Sequence, residues 1–455
     1  MFGLGIKNLP PGTVSSIFYG FKFIVYNWCY QLRGEAEHRR VPEVAEKLLY
    51  NKKIVYTVES KRGYLVLLIL LVILVIFTSG CVQQQSGLAE TFEYSLADDV
   101  EESDEEEPSV EERHWRRVFA KAFETVDCPE PRDPSSLPEG YYKGPMIDTH
   151  IHLQNLPGGA PGFPDDYYTG DNLGIKRSMD EWVCMINVEG TKQVWGFFPV
   201  AEPTIQESVD VVKMTLEKYP NLFVPFINPP GKVEATVSAE ELEMMLNLEF
   251  GLFKGYGEIG LYGNPNSPPL SPDSTILMEI YPVVKKHKLI VYFHLDDGQK
   301  EAYENVARAN QNITFVFHGG NLFKVSKTQA GISHDEKVLV FIEELLYNNP
   351  NIYYTVNELY GGDWLLEPGR SKEKFLENFA DYEALLEIDL PMWKGFIERH
   401  PDQVLWGTDR GGPAIWDKDP GVALTLNNYT RVFIDRLDPS VQEKFAYKNA
   451  ERLMS

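Results

Sequence analysis

The chain has 455 residues, with 43 Lys and Arg against 67 Asp and Glu, for a formal net charge of −24. That length holds a large barrel of ~250–300 residues plus additional segments. The acidic balance argues against nucleic acid as a partner, because phosphate binding needs a basic footprint, and it leaves room for a small anionic substrate at a metal.

Residues 1–60 carry an aromatic stretch (Ile17–Tyr30) and a basic, helix-like stretch (Arg39–Lys53). They read either as a genuine N-terminal segment or as an over-extended start. Lys61-Arg62-Gly63 then precede the unbroken apolar run Tyr64–Phe77, followed by Thr78-Ser79-Gly80-Cys81. The run is shorter than the ~20 residues a bilayer span needs. It fits the basic, apolar and small-residue regions of a secretory signal. Small residues directly before a cysteine resemble a lipobox, with Thr78 standing where Leu is usual, and this would place a lipid on Cys81. The other readings of residues 61–81 are an uncleaved membrane anchor and a buried core helix. With basic residues before the run and acidic ones after it, the positive-inside rule puts the bulk of the chain outside the cytoplasm.

Residues 82–143 read as a linker. Its acidic block, Asp98–Glu112, self-repels and buries little. His114–Thr125 forms an amphipathic helix in this reading, and Pro129, Pro131, Pro134 and Pro138 punctuate a loop. The four cysteines, Cys29, Cys81, Cys128 and Cys184, are far apart and contain no CxxC pair. So few thiols in so long a chain predict no disulfide lattice, and Cys184, in an apolar run, reads as a small hydrophobe.

From Met146 the texture changes. Eight short apolar runs read as strands: Met146–Thr149, Gln193–Pro199, Leu222–Ile227, Gly255–Ile259, Leu289–Phe293, Ile313–Phe317, Ile352–Val356 and Val404–Gly407. Between them lie helical patterns at Met179–Glu189, Thr204–Glu217, Ala239–Leu248, Ser274–His287, Gln299–Ala309, Asp335–Tyr347 and Pro391–Arg399, the last opening on proline at its first position. Continuous apolar strands alternating with amphipathic helices imply a parallel sheet covered by helices. Eight repeats point to a closed (β/α)8 TIM barrel over residues 144–455.

Chemistry-bearing residues gather at the ends of these strands. In Ile147-Asp148-Thr149-His150-Ile151-His152, strand alternation points His150 and His152 the same way, toward one ion. Glu258 ends the fourth strand, His294 the fifth, His318 the sixth, and Asp409 follows the eighth in Gly407-Thr408-Asp409. These are ligand types for divalent metals, and in a barrel such ends converge on one face. Four of the nine histidines sit at these ends; the other five, His38, His114, His287, His334 and His400, fall in helices, linkers or the N-terminal segment.

The HxH pair, the Gly257-Glu258-Ile259-Gly260-Leu261 stretch, the two later histidines and the closing GTD resemble the amidohydrolase superfamily. The domain with its final Lys448–Leu453 stretch resembles the amidohydrolase-2 branch, while the GEIGL motif and the spacing from Glu258 to His294 to His318 are similar to TatD-like hydrolases. The resemblance covers about Pro145 to Ser455. It implies one or two divalent ions, Zn²⁺ by preference, with His150, His152 and Asp409 as ligands of the first. It implies that His294 completes that site or binds a second ion. His318 is then a second-ion ligand or a group that orients substrate, and Glu258 is a bridging ligand or a carboxylate that holds a histidine tautomer. An ion lowers the pKa of water from 15.7 toward ~7, and Asp409 becomes the proton carrier.

The reaction expected is hydrolysis of a C–N or C–O bond in a small molecule, an amide, ester or lactone. The alternatives are a metal-dependent nonoxidative decarboxylase, a TatD-like phosphoesterase and a catalytically silent surface barrel. Arg410 reads either as a partner for substrate or as one for a nearby carboxylate. Asn357 and Glu358 are candidates to line the pocket, the Leu156–Gly170 loop to cover it, and Lys254 to be a weak bridging alternative. Trp182 and Trp195 read as packing residues.

Overall fold

A computed structural model describes residues 110–153, 177–200, 204–229, 235–262, 269–296, 298–318, 326–328, 331–333, 336–357, 359, 371–411 and 419–455. They belong to one compact unit, Asp104–Ser455. Residues 1–60, the anchor segment with Cys81, the acidic block up to residue 109, the Leu156–Gly170 loop, His334 and Glu358 lie outside the described residues. Among the described residues no helix is long and apolar enough to cross a membrane.

Eight parallel strands form one sheet in the order β1, β2, β3, β4, β5, β6, β9, β10. They are β1 Ile147–His152, β2 Gln193–Pro199, β3 Phe223–Asn228, β4 Gly255–Gly260, β5 Ile290–His294, β6 Phe315–His318, β9 Ile352–Val356 and β10 Val404–Trp406. A short antiparallel pair, β7 Ser326–Thr328 and β8 Gly331–Ser333, lies apart from this sheet. The sheet closes on itself just past β10. Ile151 bridges Arg410 in parallel, and the His152 N–H donates to the Arg410 carbonyl at 2.7 Å.

The strands are buried on both faces, as their continuous apolar sequences require. Inside, Trp195, Phe197, Phe226, Tyr292, Val316 and Leu405 pack with Ile147. Outside, a larger cluster joins the other strand faces to the helices. The helices are α1 Val110–Ala122, α2 Met179–Glu189, α3 Ile205–Lys218, α4 Ala239–Leu248, α5 Thr275–His287, α6 Lys300–Ala309, α7 Glu336–Asn348, α8 Lys372–Glu377, α9 Tyr382–Asp389, α10 Gly395–Arg399, α11 Pro420–Asp435, α12 Pro439–Glu443 and α13 Asn449–Met454. Capping boxes start two of them: Ser178 with Glu181 opens α2, and Ser238 with Glu241 opens α4. The expected bounds of β2, β9, α2 and α4 coincide with the observed ones, and Trp182 and Trp195 are buried as packing residues.

Four features depart from the sequence reading. First, Cys184 is not a free hydrophobe: it forms a disulfide with Cys128, with Cα atoms 4.8 Å apart across a sequence separation of 56. The bond ties the segment before the barrel to α2. Second, Pro391 does not open a helix. Asp381 caps α9, and the chain continues through a π-helical turn, Leu390–Lys394, into α10. The wider turn accommodates a residue that lacks an N–H and crowds the α-helical register. Third, the barrel's last helix, α11, was not anticipated. Asp419 caps it, Pro420 follows at its first position, and Asn427, Thr430 and Arg431 are buried alongside apolar residues such as Val422, Leu426 and Phe433. Fourth, the helix expected at His114–Thr125 begins earlier, at Val110, and Val118 and Ala122 pack on Val211 of α3.

Candidate metal centre

Two of the strands that carry the expected ligands are locally irregular. In β1 the pairing with β2 slips between Asp148 and Ile151: Asp148 faces Val194 and Ile151 faces Gly196, so β1 holds one extra residue. In β4 the same occurs between Tyr256 and Ile259, which face Val291 and Phe293. Such bulges re-aim side chains. The first leaves Asp148 pointing outward while His150 and His152 face the barrel mouth. The second is built on Gly257, whose φ of +135° lies in the region closed to other residues. A Cβ there would stand 2.2 Å from the Tyr292 carbonyl oxygen, so glycine is required for Glu258 to reach the mouth.

The six expected side chains meet. His150, His152, Glu258 and Asp409 form one group of donors, and Glu258, His294 and His318 form a second. In the first, His150 Nε2 and His152 Nε2 are 3.1 Å apart. Glu258 Oε2 lies 3.3 Å from the former and 3.0 Å from the latter, and Asp409 Oδ1 lies 3.4 and 3.3 Å from them. Tetrahedral donors at ~2.0–2.1 Å from an ion stand roughly 3.3–3.4 Å from one another, so the set has the size a Zn²⁺-like cation needs. In the second group the other oxygen, Oε1, is 2.7 Å from His294 Nδ1 and 2.9 Å from His318 Nε2. His294 therefore stands with Glu258 and His318, across from the HxH pair.

Charge is arranged to match. Burial raises the Glu258 pKa, but the surrounding histidines, His318 first, outweigh it and hold the carboxyl well below its ordinary range. Asp409 likewise overcomes burial, through His150 and His152, and sits at about 2. Burial lowers His152, but Asp409 and Glu258 raise it to about 10. His318, buried and beside His294, falls to about 4. Asp409 takes a left-handed backbone (φ 53°), a strained conformation that commonly marks functional positions. Its side chain is the most exposed of the six, at 23 %, so the centre opens on its side.

Residues behind the donors hold them. Asp148 accepts from the His150 N–H at 3.0 Å, from the Thr408 N–H at 3.0 Å and from the Thr408 hydroxyl at 2.6 Å, joining the HxH strand to the GTD turn. Arg410 is buried and donates to Glu189 at 2.6 Å and to Asp148 at 3.4 Å, so it pairs with carboxylates and does not face the mouth. Asn357 ends β9 beside His150, with its amide nitrogen 3.0 Å from Nδ1, while Asn228 stands 3.4 Å from His152 Nδ1. Lys254 is exposed and bonds to the Gly251 carbonyl, away from the donors. Asp148, Glu189, Asn228 and Tyr292 were not anticipated. Only Asp148 carried a signal, as the acid inside the IDTHIH stretch.

The sequence profile of a family described as Amidohydrolase matches residues 147–454. Of the two branches the sequence resembles, this is the amidohydrolase-2 one. A search of curated proteins found no match. Among solved structures, a protein from Acinetobacter baumannii described as a probable 2-pyrone-4,6-dicarboxylic acid hydrolase is similar at 11% identity and a TM-score of 0.42, covering 68% of this chain and 99% of that one. A zinc-bound amidohydrolase from Burkholderia multivorans is similar at 11% identity and a TM-score of 0.43, with the same coverage of both chains. A manganese-bound dihydroxybenzoic acid decarboxylase from Polaromonas matches at 15% identity and a TM-score of 0.35, covering 68% of this chain and 96% of that one.

Proposed function

The chain belongs to the amidohydrolase family, a group of metal-dependent enzymes, and we propose that it is a two-ion hydrolase that cleaves a C–N or C–O bond of a small molecule such as an amide, ester or lactone. The observation that carries this reading is the position of Glu258, with one oxygen among His150, His152 and Asp409 and the other between His294 and His318. Imidazole with carboxylate suits Zn²⁺ or a similar borderline cation. Bound there, a divalent ion supplies Lewis acidity toward water and toward a substrate carbonyl.

The protein's own groups do the rest. His150 and His152, on one bulged strand, present their Nε2 atoms to the first ion. His294, through Nδ1, and His318, through Nε2, would hold the second, with Glu258 shared between the two positions. Asp409 is charged at neutral pH and faces the open side of the centre, so it is placed to take a proton from the attacking water and return it to the leaving group. Tyr262, edge-on to His294 with ring centroids 4.5 Å apart, lines the same opening as a surface for substrate.

We place the enzyme outside the cytoplasm, held at a membrane through residues 61–81 or a lipid on Cys81. The apolar run after Lys61-Arg62 and the Cys128–Cys184 disulfide, a bond that persists in oxidising compartments, support this.

The test is a panel of amides, esters, lactones and aromatic carboxylic acids given to the full chain loaded with Zn²⁺ or Mn²⁺, with Asp409→Asn alongside. Hydrolysis that falls by about 10²–10⁴-fold in the variant is the expected result. Release of CO₂ without hydrolysis would replace the reading with decarboxylation. Full activity in Asp409→Asn would remove Asp409 from proton transfer.

A further inference from the structure

Resting on the two-ion reading above, we propose that Thr408 is a positioning residue for the first ion alone, seating the turn that carries Asp409 on the strand that carries His150 and His152. Apart from the shared Glu258, the ligands of that ion come from two stretches far apart in the chain: Asp148 and Thr408 are separated by 260 residues. The second ion's histidines need no such tie, because His294 and His318 face each other in register on the paired strands β5 and β6.

The turn from Gly407 to Gly411 is fitted to β1 on both sides of Asp409. At one end, a Cβ on Gly407 would stand 3.0 Å from His150 Cβ. At the other, Gly411 has φ 95°, and a Cβ there would stand 1.9 Å from the His152 carbonyl oxygen, an approach that glycine alone permits. Between them, Thr408 gives its N–H to Asp148 Oδ1 at 3.0 Å, and the same oxygen accepts the His150 N–H at 3.0 Å. The Arg410 carbonyl accepts the His152 N–H at 2.7 Å. Asp409, at φ 53°, is therefore held between two neighbours that are each tied to the backbone of one histidine. A left-handed aspartate persists where its surroundings fix it. The Thr408 hydroxyl completes the seat. It gives its one hydrogen to Asp148 Oδ2 at 2.6 Å, the nearer acceptor, while the His150 carbonyl is 3.5 Å away. It also accepts the Arg410 Nε–H at 3.0 Å, and Arg410 reaches on to Glu189 of α2. This hydroxyl thus joins turn, strand and helix. Asp148, Thr408, Arg410 and Glu189 are all buried, so bulk water does not remake a hydrogen bond removed there.

Valine at position 408 keeps the shape of threonine and removes the hydroxyl. Asp148 Oδ2 and Arg410 Nε then each lose a partner, the turn shifts on β1, and Asp409 leaves its place 3.3–3.4 Å from the two Nε2 atoms. Zn²⁺ affinity of the full chain, measured by chelator competition in two backgrounds, tests this. His318→Ala leaves the first ion position, and His152→Ala leaves the second. Thr408→Val should weaken binding by about 10- to 100-fold in the first background and leave it unchanged in the second. Thr408→Ser, which keeps the hydroxyl, should bind as its background does in both. Gly411→Ala, which pushes the turn off the His152 carbonyl, should behave as Thr408→Val does. Equal losses in the two backgrounds would make Thr408 a general packing residue and overturn the proposal. An unchanged affinity in the His318→Ala background, or a Thr408→Ser as weak as Thr408→Val, would overturn it as well. If Thr408→Val does not fold by circular dichroism, Gly411→Ala decides in its place. A parent that takes up one ion removes the two-ion reading by itself; Thr408→Val against Thr408→Ser in the parent then decides, and equal affinities overturn the proposal. A parent that takes up no Zn²⁺ overturns both.

Discussion

Replacing Arg410 with methionine removes a buried guanidinium while keeping much of the side chain's bulk. In the parent, that group sits between two carboxylates that are themselves fully buried, Glu189 at 2.6 Å and Asp148 at 3.4 Å. Burial raises the pKa of both acids, and Arg410 pulls them back down. Without it, both acids lose that ion pair. Breaking a buried pair of this kind costs ~3–5 kcal/mol. For a domain of this size that corresponds to a fall in melting temperature of roughly 6–10 °C at neutral pH. The loss has a pH signature. An acid whose folded pKa lies above its unfolded value of about 4 destabilises the fold most once the pH exceeds the folded value, and the penalty fades as the pH falls toward the unfolded one. Arg410→Met should therefore be weakest near pH 7 and recover part of its deficit near pH 5. Thermal denaturation followed by circular dichroism across that range reads both effects. A variant that melts with the parent at pH 7, or whose deficit is the same at pH 5, would refute the buried-charge argument.

Two further outcomes follow from the same geometry. In the ion-free protein His152, raised to about 10 between Asp409 and Glu258, is protonated at neutral pH and must lose that proton to act as a ligand. Zn²⁺ binding should release about one proton per chain at pH 7, and affinity should rise about tenfold per pH unit below pH 10; calorimetry in buffers of different ionisation enthalpy that finds no proton release would contradict this. The double substitution Cys128→Ser with Cys184→Ser opens a loop closed across 56 residues. The chain-entropy estimate for such a loop is about 4 kcal/mol, readable as a lowered denaturant midpoint, and reduction of the parent should reproduce the loss.

The ligand set was legible because its residue types interrupt apolar strands at their C-terminal ends, where few other features of a sequence place His150, His152, Glu258, His294, His318 and Asp409. The shape of the site was not. Each bulge inserts a single residue, and at Asp148 that insertion decides which neighbours face the mouth and which face α2. Gly257 hinted at the second bulge only in retrospect, since a strand glycine has several meanings. The helix α11 escaped because Asn427 and Arg431 are buried for hydrogen bonding: Arg431 donates to the carbonyls of Tyr142, Gly144 and Gly190, and periodicity counts such residues as surface. The Cys128–Cys184 pair and the approach of Tyr292 to His150 join residues far apart in sequence, and no spacing rule reaches them.

The central claim is that Glu258 joins two ion positions. Elemental analysis of the full chain, purified without chelator and resupplied with Zn²⁺, tests it together with His318→Ala. The account predicts two ions per chain in the parent and one in the variant. A parent that binds none, or a single ion that survives unchanged in His318→Ala, would contradict it.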